Sequence, residues 1–139
     1  MTGVFHLSAR DNQGGAARAT YRLHKGLRNI GVDSQMLVQK KVTEDPAVHG
    51  HSGKLGAAYD IIRRKMNELP VHRYTDRNSE IFSPAWLPER QAAAVANHDP
   101  DLVNLHWVAG GFLRPSTLSK LDVPLVRTLH DTIHARTTL

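Results

Sequence analysis

The first forty residues constrain the fold more than any other part of this chain, because an apolar run, a glycine pair and an amphipathic stretch follow one another directly. Val4, Phe5, His6 and Leu7 make a short, partly β-branched run of the kind found in strands buried in parallel sheets. A polar loop over residues 8–13 then leads to Gly14 and Gly15. A helix is expected over 16–30, since Ala16, Ala19, Leu23, Leu27 and Ile30 step by three or four and would form one buried stripe. Gly31 stands where a left-handed glycine stops a helix. Residues 34–39 read as a second strand, so the segment is a βαβ unit with a right-handed crossover.

The same alternation continues. A loop over 42–52 has room for a short strand at 47–49. A second helix is expected over 54–69, with Leu55, Tyr59, Ile62, Met66 and Leu69 on one face and Lys54, Arg63, Arg64 and Lys65 opposite; Pro70 ends it. Residues 71–88 read as irregular, with Phe82 and Trp86 as burial points, and 89–97 as an alanine-rich helix. Residues 102–107 form a third clear strand, Gly110 and Gly111 open a helix running to 121, and 124–130 form a fourth clear strand. Strands that alternate with helices over 139 residues predict one α/β domain around a mainly parallel sheet.

Composition removes several classes. The chain has no cysteine, which excludes disulfide scaffolds and thiolate zinc sites. No apolar run approaches the roughly 20 residues of a spanning helix, and the N-terminus lacks a signal-peptide pattern, so a cytoplasmic location is expected. Eighteen Lys/Arg against 13 Asp/Glu give +5, a surplus that suits a polyanion, an anionic membrane surface or a phosphorylated small molecule. No recognition helix, zinc-finger spacing or aromatic-flanked basic ribbon is present, so nucleic acid is not an expected partner. The basic side of the 54–69 helix would suit peripheral membrane contact as well as plain solvation.

Ligands of open α/β sheets bind beyond the carboxyl ends of the strands. Three groups stand there: the Gly14-Gly15 loop, then His106 and Trp107 followed by Gly110-Gly111, then His130-Asp131. A glycine pair lets backbone approach an anion at a helix N-terminus, with Arg18 adding charge one turn later; the same pair would also serve a simple tight turn. His130 beside Asp131 could act as a general base, or bond only to nearby backbone. Trp107 reads as packing. His49 and His51 lack a third ligand, so no metal is expected.

The runs at residues 4–8, Gly14-Gly15-Ala16-Ala17-Arg18-Ala19 and Tyr21-Arg22-Leu23-His24-Lys25-Gly26-Leu27-Arg28 resemble the start of family 4 glycosyltransferases. So do residues 34–39, Phe82-Ser83-Pro84-Ala85-Trp86, residues 100–111 and Thr128-Leu129-His130-Asp131. The resemblance implies a GT-B enzyme, and for residues 1–131 its acceptor-side domain: a Rossmann-like open sheet with helices on both faces. It implies that Gly14 and Gly15 lie near the donor diphosphate and acceptor, and that His130 assists transfer; the reading of the residues themselves adds Arg18, His106 and Asp131 to the candidate site. It implies a nucleotide-sugar substrate, a glycan or lipid-linked acceptor, no cofactor and no required metal.

In the family, the donor is held mainly by a second domain with a Glu-x7-Glu motif, which is not found here. Residues 132–139 depart from the family's aromatic, glycine-rich continuation and read as an aberrant tail of a truncated chain. On this reading the domain is incomplete, inactive alone and open to self-association through an uncovered sheet edge. Two alternatives stand beside it: a non-enzymatic half that complements a separate C-terminal domain, and a stand-alone phosphate-binding module.

Overall fold

The computed structural model describes residues 2–51, 53–69, 91–108 and 112–130. Five strands, β1 (Gly3–Arg10), β2 (Asp33–Lys40), β3 (Val48–His51), β4 (Leu102–Leu105) and β5 (Leu125–Arg127), form one sheet in the order β3-β2-β1-β4-β5. Every pairing is parallel. The helices are α1 (Gly15–Asn29), α2 (Gly53–Glu68), α3 (Gln91–His98) and the single turn α4 (Pro115–Leu118). The expected α/β class and mainly parallel sheet hold, including the short strand between β2 and α2. Among the described residues, no helix is long and apolar enough to cross a membrane.

β1 lies at the centre, with Val4 opposite Ser34 of β2 on one side and Leu102 of β4 on the other. Alternate residues of a strand face opposite ways, so β1 serves two different layers. Phe5 and Leu7 join Val103 and Leu105 of β4, Val95 of α3, Phe112 and Leu113 in an apolar core, with Leu118 of α4 packed against it. His6 and Ser34 face α1 instead, beside a smaller apolar cluster of Met36, Val38 and Val48 covered by Tyr21. Helices therefore cover both faces, as expected.

Three expectations are corrected. The buried stripe of α1 is Ala17, Thr20 and His24, not the one through Ala19, Leu23 and Ile30. Leu23 is 39% and Ile30 76% exposed. The cause lies in the sheet beneath: it offers a histidine and a serine, which need polar partners more than leucines. In α2 the expected buried face is also turned out, with Tyr59, Ile62, Met66 and Leu69 all exposed, whereas Arg63 is buried and donates to the Tyr59 hydroxyl at 3.3 Å. Finally, the helix expected to run on to 121 is only α4. Pro115 fixes its first turn and Arg114 before it is extended (φ −89°, ψ 141°), which suits the restriction on a residue preceding proline.

Boundaries moved elsewhere as well. β1 continues through Arg10, because its register with β2 runs on to Lys40, and β5 is limited to three residues. The irregular segment 71–88 with Phe82 and Trp86, the Gly110-Gly111 pair, Asp131 and the tail 132–139 lie outside the described residues.

Gly50 is required by close approach in β3. A Cβ there would stand 2.5 Å from the Val38 carbonyl oxygen and 2.8 Å from its Cγ2. Gly50→Ala is expected to destabilise the chain by roughly 1–3 kcal/mol in urea unfolding. Gly26, inside α1 with nothing within 4 Å of its Cβ position, should respond in the opposite sense: Gly26→Ala gains roughly 0.5–1 kcal/mol. Equal effects at the two sites would refute this assignment.

Candidate functional site

Strand order 3-2-1-4-5 reverses between β1 and β4, since the chain first builds outward through β2 and β3 and then returns to the other side of β1. Crevices at such reversals, beyond the carboxyl ends of the strands, are where open α/β sheets hold ligands. β4 ends at Leu105, so His106 is the first residue past it, held by its N–H donating to the Leu7 carbonyl at 3.0 Å. Past β5, Thr128 N–H donates to the Leu105 carbonyl at 2.9 Å, which carries the backbone to His130 along the same edge.

The structure brings His106 and His130 together, with His106 Nδ1 and His130 Nε2 2.9 Å apart and the rings stacked. His130 Nε2 also lies 3.4 Å from Thr20 Oγ1, which donates to the Ala16 carbonyl in the first turns of α1. The contact chain runs inward from there. His106 Nε2 meets His6 Nδ1 at 3.0 Å, and His6 Nε2 meets Ser34 Oγ at 3.1 Å. Ser34 Oγ then meets His24 Nδ1 at 2.8 Å. His24 Nε2 faces Asp45 Oδ2 at 3.7 Å and has no hydrogen-bond partner.

Burial sets the charge of this chain. His6, His24 and Ser34 are 0–1% exposed and His106 is 4% exposed. Loss of solvent, reinforced by neighbouring imidazoles, lowers His6 to about 4 and His106 to about 3. Burial also lowers His24, outweighing the attraction of Asp45. Asp45 shows the reverse balance. Burial pushes it up, yet the Ala47 N–H, His24, Arg28 and Lys25 together hold it below the ordinary carboxylate value. Arg28 Nη1 and the Ala47 N–H donate to Oδ1 at 3.1 and 2.9 Å, while Tyr21 donates to Oδ2 at 3.3 Å. The site is thus three neutral buried imidazoles between an ionised carboxylate and a half-buried histidine near the surface.

The glycine loop lies at the head of α1. Gly14 takes φ 95°, and neither Gly14 nor Gly15 has anything within 4 Å of a would-be Cβ. The first turn carries no side-chain cap and no acidic residue. Arg18 is exposed. Behind the loop, buried Asp11 accepts from the Val42 N–H, the Thr43 N–H and the Thr43 hydroxyl at 2.9, 2.8 and 2.7 Å. Trp107, read from sequence as packing, is 42% exposed. Gly110, Gly111 and Asp131 fall outside the described residues. His49 and His51 go separate ways, His49 to Gln35 at 3.0 Å and His51 against the Tyr59 ring. Among the described residues no group of three or more ligand-type side chains could hold a metal ion.

Sequence reasoning missed His6, Ser34, His24, Asp45 and Asp11. A signal existed for the first three: polar residues on one face of two neighbouring apolar strands, and Thr20 and His24 one turn apart on the intervening helix.

The family model of Glycosyltransferase Family 4 matches residues 13–139, and the chain belongs to that family. No curated protein matches the chain, and no solved structure does.

Depressed histidines make stability depend on pH in a definite sense. Between pH 6.5 and about 4 the unfolded chain protonates His6 while the folded one does not; for His106 the window extends to about 3. The unfolded state then binds more protons, so stability is complete above pH 6.5 and falls on acidification. Each histidine contributes roughly 1.4 kcal/mol per pH unit within its window. Urea unfolding at pH 7, 6 and 5 should show this decline, and a flat profile would contradict burial of neutral imidazoles.

Proposed function

We propose that this chain forms the acceptor-side domain of an enzyme that transfers a sugar from a nucleotide-sugar donor to a polysaccharide or glycolipid acceptor. His130 accepts the proton of the attacking hydroxyl as the glycosidic bond forms and the nucleoside diphosphate leaves. One observation carries this reading within the family: His130 is fixed by His106 and Thr20 through Nε2, at the carboxyl end of the sheet. Its Nδ1 has no hydrogen-bond partner among the described residues.

The uncapped N-terminus of α1 beside Gly14 and Gly15 favours a diphosphate, because free N–H groups and the helix dipole both attract anions. Arg18 adds a positive charge on the same turn. His106 positions His130, and Asp131 follows it in sequence. In the family this chain resembles, a second domain holds most of the donor, so transfer requires that domain as well. The reading includes a cytoplasmic setting with α2 against an anionic membrane face, where exposed Ile61, Ile62 and Met66 lie on the same helix as Lys54 and Lys65.

The test is transfer from labelled UDP- and GDP-sugars to glycan acceptors, using the chain joined to a donor-binding domain of the same family. His130→Ala should lower kcat by roughly 10²- to 10⁴-fold, and the 139-residue chain alone should give no product. An undiminished His130→Ala rate removes His130 from the chemistry. Thermal stabilisation of the chain alone by free nucleotide or diphosphate would favour the stand-alone phosphate-binding module; at 100 times Kd it amounts to roughly 2.7 kcal/mol.

A further inference from the structure

We infer that Asp45 and Thr20, at opposite ends of the buried chain, fix the direction of every hydrogen bond between them and so hold His130 as the Nε2–H tautomer with a free lone pair on Nδ1. Asp45 is thereby a positioning residue for a ring that it never touches.

Each neutral imidazole offers one donor and one acceptor, and a serine hydroxyl has one proton to give. Four consecutive contacts, from His130 to His106, His6, Ser34 and His24, therefore allow two arrangements in which the buried serine proton is also used. In the first, His130 Nε2–H donates to His106 Nδ1, His106 Nε2–H to His6 Nδ1, and His6 Nε2–H to Ser34 Oγ. The serine then donates to His24 Nδ1. In the second, every proton is reversed.

The two ends discriminate between them independently. At the inner end, the first arrangement leaves a proton on His24 Nε2, pointing at the Asp45 carboxylate 3.7 Å away. The second turns a bare lone pair towards that negative charge in a site from which water is excluded. The ion pairs of Asp45 with Lys25 (3.6 Å) and Arg28 (3.1 Å) keep the carboxylate charged, so this preference is permanent. At the outer end, the Thr20 hydroxyl proton is committed to the Ala16 carbonyl at 2.8 Å. Thr20 Oγ1 can then only accept from His130, so the Nε2–H that donates to His106 at 2.9 Å is shared with Thr20 at 3.4 Å, whereas the reverse arrangement sets two lone pairs against each other. Both ends select the first arrangement.

The consequence for chemistry follows directly. A base needs its lone pair on the nitrogen that meets the substrate, and here that nitrogen is Nδ1, which has no hydrogen-bond partner among the described residues. When Nδ1 takes a proton, the ring becomes a cation that still donates through Nε2 to His106, so no contact in the chain has to reverse. The inference depends on the reading of His130 as the base only for this use. The tautomer itself can be read without any transfer reaction.

Side-chain ¹⁵N NMR of the 139-residue chain at neutral pH, correlating ring nitrogens with ring carbon-bound protons, distinguishes the two tautomers of each histidine. The expected result is Nε2–H at His130, His106, His6 and His24. Nδ1–H at His130 in the unaltered protein would overturn the inference, whether or not any variant folds. The double variant Asp45→Asn, Thr20→Val removes both discriminating groups and should convert His130 from one tautomer to a mixture. In a Ser34→Ala, Thr20→Val background the chain is cut, and Asp45→Asn should then leave the His130 tautomer unchanged. A folded double variant whose His130 stays wholly Nε2–H would also overturn the assignment. Loss of transfer in His130→Ala with the reverse tautomer present would sink this inference alone, and the expected tautomer without a transfer defect would sink only the catalytic reading.

Discussion

Everything on the α1 side of the sheet follows from placing a histidine in the middle of the central strand. His6 is wholly buried between β2 and β4, so water satisfies neither of its ring nitrogens. An unmatched buried polar group costs roughly 1–3 kcal/mol, and each partner that relieves it is itself buried and needs a partner in turn. Ser34 passes the requirement to His24 and His106 passes it to His130. The requirement ends only where charge or solvent can absorb it. Asp45 ends it on one side with help from two cations, and the half-buried rim at His130 ends it on the other.

The two faces of β1 therefore contribute differently. Phe5 and Leu7 bury apolar area against α3 and β4, worth roughly 1.5–3 kcal/mol for each large side chain. The polar face adds little net stability, because each hydrogen bond replaces one made to water in the unfolded chain. It is costly to break and cheap to replace with well-packed apolar residues. A face built from four imidazoles is a poor solution if the only need is to pack a helix on a sheet. Its geometry is better explained by the ring at its outer end, whose protons it orders.

The architecture was legible because it rests on local signals. Apolar runs, the glycines at 14 and 31 and the breaks between segments located β1, α1, β2 and β4 to within a few residues. What hydropathy misplaced was the face of α1. Ranking side chains by apolarity favours Leu23, yet the neighbouring position, His24, is the one turned inward. The deciding information lies in another segment, since only the residues of β1 and β2 reveal that the surface beneath is polar. The same holds for α2, where Arg63 is buried and Ile62 is not. Asp11 and Asp45 were illegible for a different reason. The β2–β3 connection brings Val42 and Thr43 to Asp11 and carries Asp45 itself against α1, and no spacing along the chain announces either contact.

Asp11 shows how this long-range contact shapes the candidate site. Gly14 and Gly15 confer freedom, and a loop that is merely free would pay for each ligand with its own ordering. Here the loop is restrained at its base. Asp11 fixes the chain just past β1 to Val42 and Thr43 just past β2, and Arg10 reaches forward to Gln13 at 2.9 Å. Freedom is left only in the exposed turn at residues 12–15, directly before the uncapped N-terminus of α1. On the opposite side the buried histidine chain holds His130 against Thr20 of the same helix. The open end of α1 is thus braced from both flanks, by Asp11 on one side and by the histidine chain on the other. Such a frame holds the free N–H groups at the head of α1 and the His130 ring at a fixed separation, the preorganisation that the proposed glycosyl transfer would draw on.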